Sequence, residues 1–503
     1  MTGSRLLLGL SLVLILAVCV WGTVDTEGLV AIASEIVNQF FESRGWFVML
    51  SASAMLAFCL ILAFSPYGTI RLGKDDDRPE FSTPSWIAML FSAGMGVGLL
   101  FWAVAEPMLH FSIASQYAPL PTAAYEALVA TNINWGVHAW AIYGTTALVI
   151  AYFAYRRGAA MMVSGPITAA FPDQKWAVYV GWVSDFLAIV AIAIGVGGSI
   201  AMGVFQVADG IDVLIGGSGV TTFMLGLILV AMVACYVPAL LVDLGTGMSR
   251  LSNMAMAITI ALAIYVIVLG PTQYLMNSVV NSFGEYLVRV IPSGFQTFTF
   301  YDDAVGQWFK DWTLTYMVWW IAWGPFVGVF IAQISKGRTI REFVIGVLLA
   351  PTIFSIFWFG TFGGIGLFDA LRGDGSLLQI AQSDPERVTF ELLDRLPFPK
   401  FTTTLTVLAG FLFIVTSVVS AAVVLATFAM GGVSEPKPGL KVVWGLLLGG
   451  LGVVMILSGG IDAVKKLIAL GALPFVFIIV FLMVCLIRGL RDEEVGNARR
   501  QPS

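Results

Sequence analysis

Trp312, Trp319, Trp320 and Trp323 fall within twelve residues, accompanied by Tyr316, Phe326 and Phe330. A second aromatic group, Trp135, Trp140 and Tyr143, lies in the stretch NWGVHAWAIY. On a helix, residues three and four apart share a face, so Trp320 and Trp319 each adjoin Trp323. Indole faces that converge on one point form a cage for a cation, and a desolvated contact of this kind contributes about 2 kcal/mol or more. A quaternary ammonium or sulfonium head has no strong hydrogen-bond donor, so ring faces suit it better than a carboxylate does. Core packing is the competing reading of such a stripe. An interfacial belt is the usual reading of membrane tryptophan; it suits Trp312, Trp21 and Trp46, but not residues two turns further in.

Two breaks accompany the aromatics. Gly94-Met95-Gly96-Val97-Gly98 places three glycines in five residues, each weakening a helix by about 1 kcal/mol relative to alanine. Trp323-Gly324-Pro325 brings in a proline, which removes a backbone donor and clashes with the preceding turn. Interrupted spans near a bilayer midplane free backbone groups for substrate and ions. Taken alone, Gly94 and Gly98 also fit close helix packing through small residues.

The elements that must position these residues are membrane helices. The chain has 503 residues, 58% hydrophobic and 11% charged, where a soluble domain carries about 25% charged residues. Apolar runs of about 20 residues match the thickness of a hydrocarbon core. Twelve spans are predicted, near 5–23, 46–66, 85–108, 132–155, 182–206, 219–242, 251–271, 312–333, 340–362, 403–431, 440–458 and 463–487. The first run, with only Arg5 ahead of it, reads as a retained span rather than a signal peptide. Most basic residues fall on the side that holds both termini, including Arg71, Arg156, Arg157, Arg338 and Arg488, which predicts cytoplasmic termini. The net charge of −5 and the lack of a basic arm argue against nucleic acid as a partner. Cys19, Cys59, Cys235 and Cys485 lie in separate apolar runs and read as packing residues. With two histidines, His110 and His138, and no HExxH or GxSxG context, neither an enzyme nor a metal centre is expected.

The broken spans three and eight each begin a block of five, so spans 3–7 and 8–12 are predicted to be inverted repeats, with two extra spans in front. The chain divides into 1–84 (spans one and two and the first cytoplasmic loop), 85–271 (first repeat), 272–311 (a periplasmic interfacial segment), 312–487 (second repeat) and 488–503 (a short, disordered cytoplasmic tail). Residues 272–290 mix apolar and polar positions at helical spacing and suit a helix along the interface. FELLDRL, within 363–402, suits another short surface helix.

AGMGVGLLFWAVAEP (Ala93–Pro107), NWGVHAWAIY (Asn134–Tyr143) and Trp312–Phe343 resemble the betaine/carnitine/choline transporter family, and the likeness runs along the whole chain. The resemblance implies an all-α membrane protein with a leucine-transporter-like inverted-repeat fold, a homotrimeric assembly and a place in the bacterial inner membrane. It implies secondary transport of a glycine betaine-like zwitterion by alternating access. Trp135, Trp140, Tyr143 and Trp320 match the family's aromatic box. Trp319, Trp323, Phe326 and Phe330 match its permeation path. Gly94, Met95, Gly96, Val97 and Gly98 match the flexible motif that approaches the substrate carboxylate. Choline-carrying members tend to have an acidic residue at the last glycine of that motif; Gly98 therefore favours a solute with its own carboxylate.

Sodium is the implied coupling ion, and no other cofactor is expected. Ser92, Met95, Phe413, Thr416 and Ser417 match one sodium site, whose oxygen ligands suit a hard cation. The second sodium site of such members uses two threonines of span five; Ile192 and Val196 stand there. Met256 stands where sodium-independent exchangers carry arginine. Other readings are a sodium-independent or proton-coupled carrier or exchanger of carnitine, choline or a sulfonium analogue, and a non-transporting membrane sensor. Glu106, Asp185 and Asp243 are the carboxylates at membrane depth, open to a relay or a structural role.

Overall fold

Apolar length decides the architecture. The computed structural model describes all residues except Met1, Met95, Ser218, Asp243, Leu244, Val433, Ser434 and 499–503. Its helices are α1 (Thr2–Val24), α2 (Thr26–Phe64), α3 (Thr83–Gly94), α4 (Val97–Ala114), α5 (Leu120–Trp135), α6 (Val137–Ala151), α7 (Ser164–Ala170), α8 (Lys175–Ile215), α9 (Thr222–Leu241), α10 (Gly245–Leu269), α11 (Thr272–Gly294), α12 (Asp303–Phe309), α13 (Thr315–Ile334), α14 (Ile340–Arg372), α15 (Ser376–Ser383), α16 (Val388–Asp394), α17 (Pro399–Ala429), α18 (Pro438–Leu457), α19 (Ile461–Ala472) and α20 (Phe475–Ala498). Eleven stretches among the described residues are long and apolar enough to cross a membrane, and α19 with α20, bent by 43° at their junction, makes a twelfth. An all-helical chain suits lipid, because a helix satisfies its own backbone donors and acceptors.

Burial separates the spans into two kinds. The apolar window of α8 is 94% buried and that of α5 with α6 is 89% buried, against 22% for α1 and 33% for each of α9 and α10. The central helices therefore carry the core, and residues such as Val13, Leu16, Phe223, Val230, Ile264 and Val268 are exposed outward, where a lipid environment would cover them.

Several spans are longer than their hydrophobic signal. Helix α2 begins at Thr26, capped by Asp25, whose carboxylate accepts from the Gly28 amide at 3.0 Å; the acidic segment ahead of span two is thus helix rather than loop. Helix α8 runs for 41 residues. The amphipathic segment after span seven forms α11, which buries Leu275, Val279, Ser282 and Tyr286 along one face. FELLDRL lies largely in α16, with α15 ahead of it. The C-terminal segment, predicted disordered, stays helical to Ala498. Polar partners hold it there: Glu493 accepts from Arg156 Nε at 2.6 Å and from the Tyr152 hydroxyl at 2.7 Å, and Glu494 accepts from the Tyr67 hydroxyl at 2.9 Å.

The predicted break at Trp323-Gly324-Pro325 does not occur. Helix α13 runs unbroken through Pro325. Gly324 and Gly328 instead form a flat stripe against α6, where a Cβ on Gly328 would stand 2.8 Å from Thr146 Cγ2. That packing holds the helix together despite one lost backbone bond. The irregular turn lies earlier, as a π-helical stretch at Lys310–Leu314.

Candidate functional site

The interruption of span three leaves α4 starting at Val97, with Gly96 as its N-cap. Met95 lies outside the described residues, and Ser92 and Gly94 belong to the last turn of α3. The first amides of a helix lack internal partners and carry the positive end of its dipole. Here that end opens on a cavity: Gly96, Val97 and Gly98 all line it. A Cβ at Gly98 would stand 3.1 Å from Trp135 Cη2 and 3.6 Å from Met202 Cε, so glycine lets the backbone sit close to the Trp135 ring.

A second interruption was not read from the sequence. Span four breaks at Gly136, between α5 and α6. A Cβ there would stand 2.2 Å from the Tyr286 hydroxyl and 2.4 Å from the Asn132 carbonyl oxygen, so no side chain fits without movement. The freed groups find partners. Trp320 Nε1 donates to the Asn134 carbonyl at 2.7 Å, Ser355 Oγ to the Trp135 carbonyl at 3.3 Å, and the Val137 amide to the Tyr286 hydroxyl at 2.9 Å. The signal available in sequence was the Trp-Gly pair of NWGVHAW.

These backbone breaks aim the rings. Trp320 stands edge-to-face with Trp135 (centroids 5.3 Å apart, planes at 84°) and with Tyr143 (5.2 Å, 82°). Two rings nearly perpendicular to a third form three walls of a box. Trp135, Tyr143, Trp319, Trp320 and Trp323 line the cavity together with Trp102 and Tyr316; Ser199 and Met202 of α8, and Ile414 and Ser417 of α17, complete the lining. The empty space inside this lining, with its opening to solvent included, is about 550 Å³.

Not every expected residue reaches it. Trp140 is buried against Tyr143, with centroids 5.7 Å apart, and is absent from the cavity wall; its Nε1 has no hydrogen-bond partner among the described residues. Phe326 packs edge-on against Trp323 at 5.7 Å, and Phe330 is half-buried; neither lines the cavity. Trp312, expected at the membrane interface, is buried instead, 5.2 Å from Trp102 and stacked on Tyr316 at 6.0 Å. The helical path begins at Asp303, nine residues before Trp312, which draws it inside. Trp21 and Trp46 are exposed.

Glu106 organises the box from behind. It is fully buried, on α4, and accepts from Tyr316 OH at 2.6 Å, Trp135 Nε1 at 2.8 Å and Asn134 Nδ2 at 2.9 Å, with His110 Nε2 at 3.2 Å. Trp308 Nε1 donates to His110 Nδ1 at 3.0 Å, which leaves the ring proton on Nε2, directed at Glu106. A buried carboxylate with this many donors is a satisfied positioning group. Asp185 is likewise engaged structurally, accepting from the Ser164 amide at 2.9 Å, at the start of α7. Asp243 lies outside the described residues.

Of the residues expected to hold an ion, Ser417 reaches the cavity wall, and Thr416 is buried with its hydroxyl donating to the Leu412 carbonyl at 2.9 Å and the Phe413 carbonyl at 3.1 Å. Phe413, Ile192 and Val196 are buried. Met256 is half-buried.

Comparison with known proteins converges with this geometry. Residues 6–495 match the model of the betaine/carnitine/choline family transporters. The glycine betaine transporter OpuD of Bacillus subtilis is 37% identical over 488 residues, covering 96% of this chain and 94% of that protein. A glycine betaine transporter of Acinetobacter baylyi is 34% identical, covering 94% of this chain and 72% of its own length. The betaine/ectoine transporter LcoP of Corynebacterium glutamicum is 31% identical, covering 99% and 79%. A helical membrane bundle with a glycine-broken third span and a tryptophan box, matched from residue 6 to residue 495, belongs to the betaine/carnitine/choline family of transporters.

Proposed function

We propose that this transporter imports a glycine betaine-like zwitterion across a bacterial inner membrane by alternating access, coupled to one sodium ion. The observation that carries the reading is the box of Trp135, Tyr143 and Trp320 facing the same cavity as the amino end of α4. Ring faces take the onium head by cation–π attraction. The unpaired amides and dipole at Gly96–Gly98 take the carboxylate, as helix N-termini take anions. The absence of a charged side chain on the cavity wall among the described residues suits a solute that brings both charges itself. The names of the three relatives, all betaine carriers, support the same class.

The side chains present support one sodium rather than two: Thr416 and Ser417 carry hydroxyls, and Ser417 shares the cavity wall with Gly96 at the break in span three, whereas Ile192 and Val196 offer no side-chain oxygen. The basic residues near Arg71, Arg156 and Arg338 support cytoplasmic termini. Family resemblance supports a homotrimer.

The deciding experiment is uptake of radiolabelled glycine betaine by proteoliposomes, with and without an inward sodium gradient. Saturable, gradient-dependent accumulation is the expected result. Equal uptake without sodium would end the coupling assignment, and no uptake or binding of any onium compound would end the substrate assignment.

A further inference from the structure

Two neighbouring lysines at the start of the twelfth span have opposite surroundings. Lys466 Nζ meets the Asp311 carboxylate at 2.8 Å and Asn38 Oδ1 at 2.9 Å. Lys465 is buried, with a side-chain exposure of 4%, and is alone in that among the described lysines. The one carboxylate in reach is Asp462 at 3.5 Å, itself 89% exposed. Ring faces stand where a counter-ion would: Lys465 Nζ lies 3.8 Å from the Trp312 centroid and 4.8 Å from that of Trp102.

This ammonium is next to the transport cavity. Trp102 lines the cavity wall. Trp312 stacks on Tyr316, which also lines the cavity and donates to Glu106. Trp312 also packs edge-on against His110, centroids 4.7 Å apart, and His110 Nε2 meets Glu106 at 3.2 Å, so the rings under the ammonium are in contact with two partners of that carboxylate. The cavity therefore lies in the field of one buried carboxylate and one buried ammonium. Buried charges are costly to keep and are weakly screened by salt. If Lys465 served only to fill space between two indoles, methionine would do so without that cost.

We propose that Lys465 is a specificity-determining residue: its ammonium offsets the buried charge of Glu106, so that the cavity favours a zwitterion over a solute with a cationic head alone. The inference rests on the reading that the cavity takes an onium solute. With the ammonium removed, Glu106 acts unopposed. A bare cation then gains attraction, and a solute carboxylate loses it. The two effects have opposite signs, so the readout is a ratio of affinities, which a general loss of activity does not move.

The test compares wild type, Lys465→Met and Lys465→Arg in proteoliposomes, with labelled glycine betaine and labelled choline as probes. For Lys465→Met the ratio of apparent affinities should shift toward choline by about tenfold or more. Lys465→Arg, which keeps the charge, should stay near the wild-type ratio. An unchanged ratio in a Lys465→Met protein that elutes and melts like wild type would overturn the inference, as would an equal shift in Lys465→Arg. Should Lys465→Met fail to fold, Lys465→Gln, which keeps a polar group against Asp462, carries the same prediction. Failure of wild type to take up either probe would instead strike the underlying reading and this inference with it, whereas normal betaine uptake with an unmoved ratio strikes this inference alone.

Discussion

Tyr316 donates its hydroxyl to Glu106 Oε2 at 2.6 Å, and the same oxygen accepts the Trp135 indole N–H at 2.8 Å. One carboxylate thus fixes a cage ring on α5 and a cavity-lining ring on α13. Hydrogen bonds to a charged group contribute about 1.5–3 kcal/mol each. Glu106→Gln should therefore raise the apparent Km for betaine by about tenfold or more, with Tyr316→Phe showing a smaller rise in the same direction. Intrinsic tryptophan fluorescence titrated with betaine would report both. An unaltered Glu106→Gln titration would remove Glu106 from the site.

Trp320 and Trp140 should separate in their effects. Trp320 is perpendicular to two cage rings and on the cavity wall, while Trp140 stands behind Tyr143. Loss of a desolvated cation–π contact of about 2 kcal/mol corresponds to about thirtyfold in affinity. Trp320→Ala should show at least that loss in uptake kinetics. Trp140→Phe should change Km by less than about threefold, since it keeps an aromatic edge against Tyr143.

Gly136→Ala should destabilise the fold. The added methyl would stand 2.2 Å from the Tyr286 hydroxyl, and overpacking of this kind costs about 1–3 kcal/mol. A lower melting temperature in detergent is expected, partly restored by Tyr286→Phe, which removes the clashing oxygen. No rescue in the double variant would show that the Asn132 carbonyl, 2.4 Å away, is the dominant obstacle.

The hydroxyls of span ten carry the sodium prediction. Ser417→Ala should raise the sodium concentration needed for half-maximal uptake several-fold while leaving betaine binding at saturating sodium intact. Thr416→Val should act in the same direction, with an added packing effect because Thr416 is buried. A shift in betaine affinity with unchanged sodium dependence would make Ser417 a substrate contact instead.

Glu386, in the loop between α15 and α16, has its carboxyl pushed up from 4.5 to about 7 by burial, with nearby Asp384 adding to the effect. The folded loop therefore favours the protonated form. The stabilisation is full below the ordinary value of 4.5 and is lost as pH rises through about 7. Hydrogen exchange in 376–394 should accelerate between pH 5 and 8 beyond the intrinsic rate, and Glu386→Gln should flatten that excess. Equal acceleration in the variant would assign the effect to another group.

What the sequence made legible was local. Three glycines in five residues announced the break before α4, and tryptophans at spacings of three and four announced the box, because both signals need only a few neighbouring positions. Distant relations were not legible. Glu106 meets Tyr316 across 210 positions, so its role as an anchor for the rings needed the fold. Lys465 and Lys466 are indistinguishable in sequence, yet Lys466 meets Asp311 at 2.8 Å while Lys465 lies over two indoles with the exposed Asp462 3.5 Å away. Trp312 was misplaced because hydropathy starts span eight there, whereas the polar turn Asp303–Asp311 is already helical. Pro325 misled in the other direction, since a proline's effect on a helix depends on what packs around it.

The bonds gathered at the cavity have a consequence for how the molecule comes apart. Glu106 ties α4 to α5 and α13; Trp358 Nε1 donates to the Leu99 carbonyl at 3.0 Å, and Ser355 to that of Trp135, tying α14 to the same group. Ser199, Met202, Ile414 and Ser417 bring α8 and α17 to the same cavity, and among the described residues no side-chain hydrogen bond joins these four to the laced helices. At these positions the cavity lining is hydrogen-bonded together on α4, α5, α13 and α14 and only packed on α8 and α17. Loosening of the bundle around the cavity should therefore begin where side chains only touch, since no hydrogen bond has to break there.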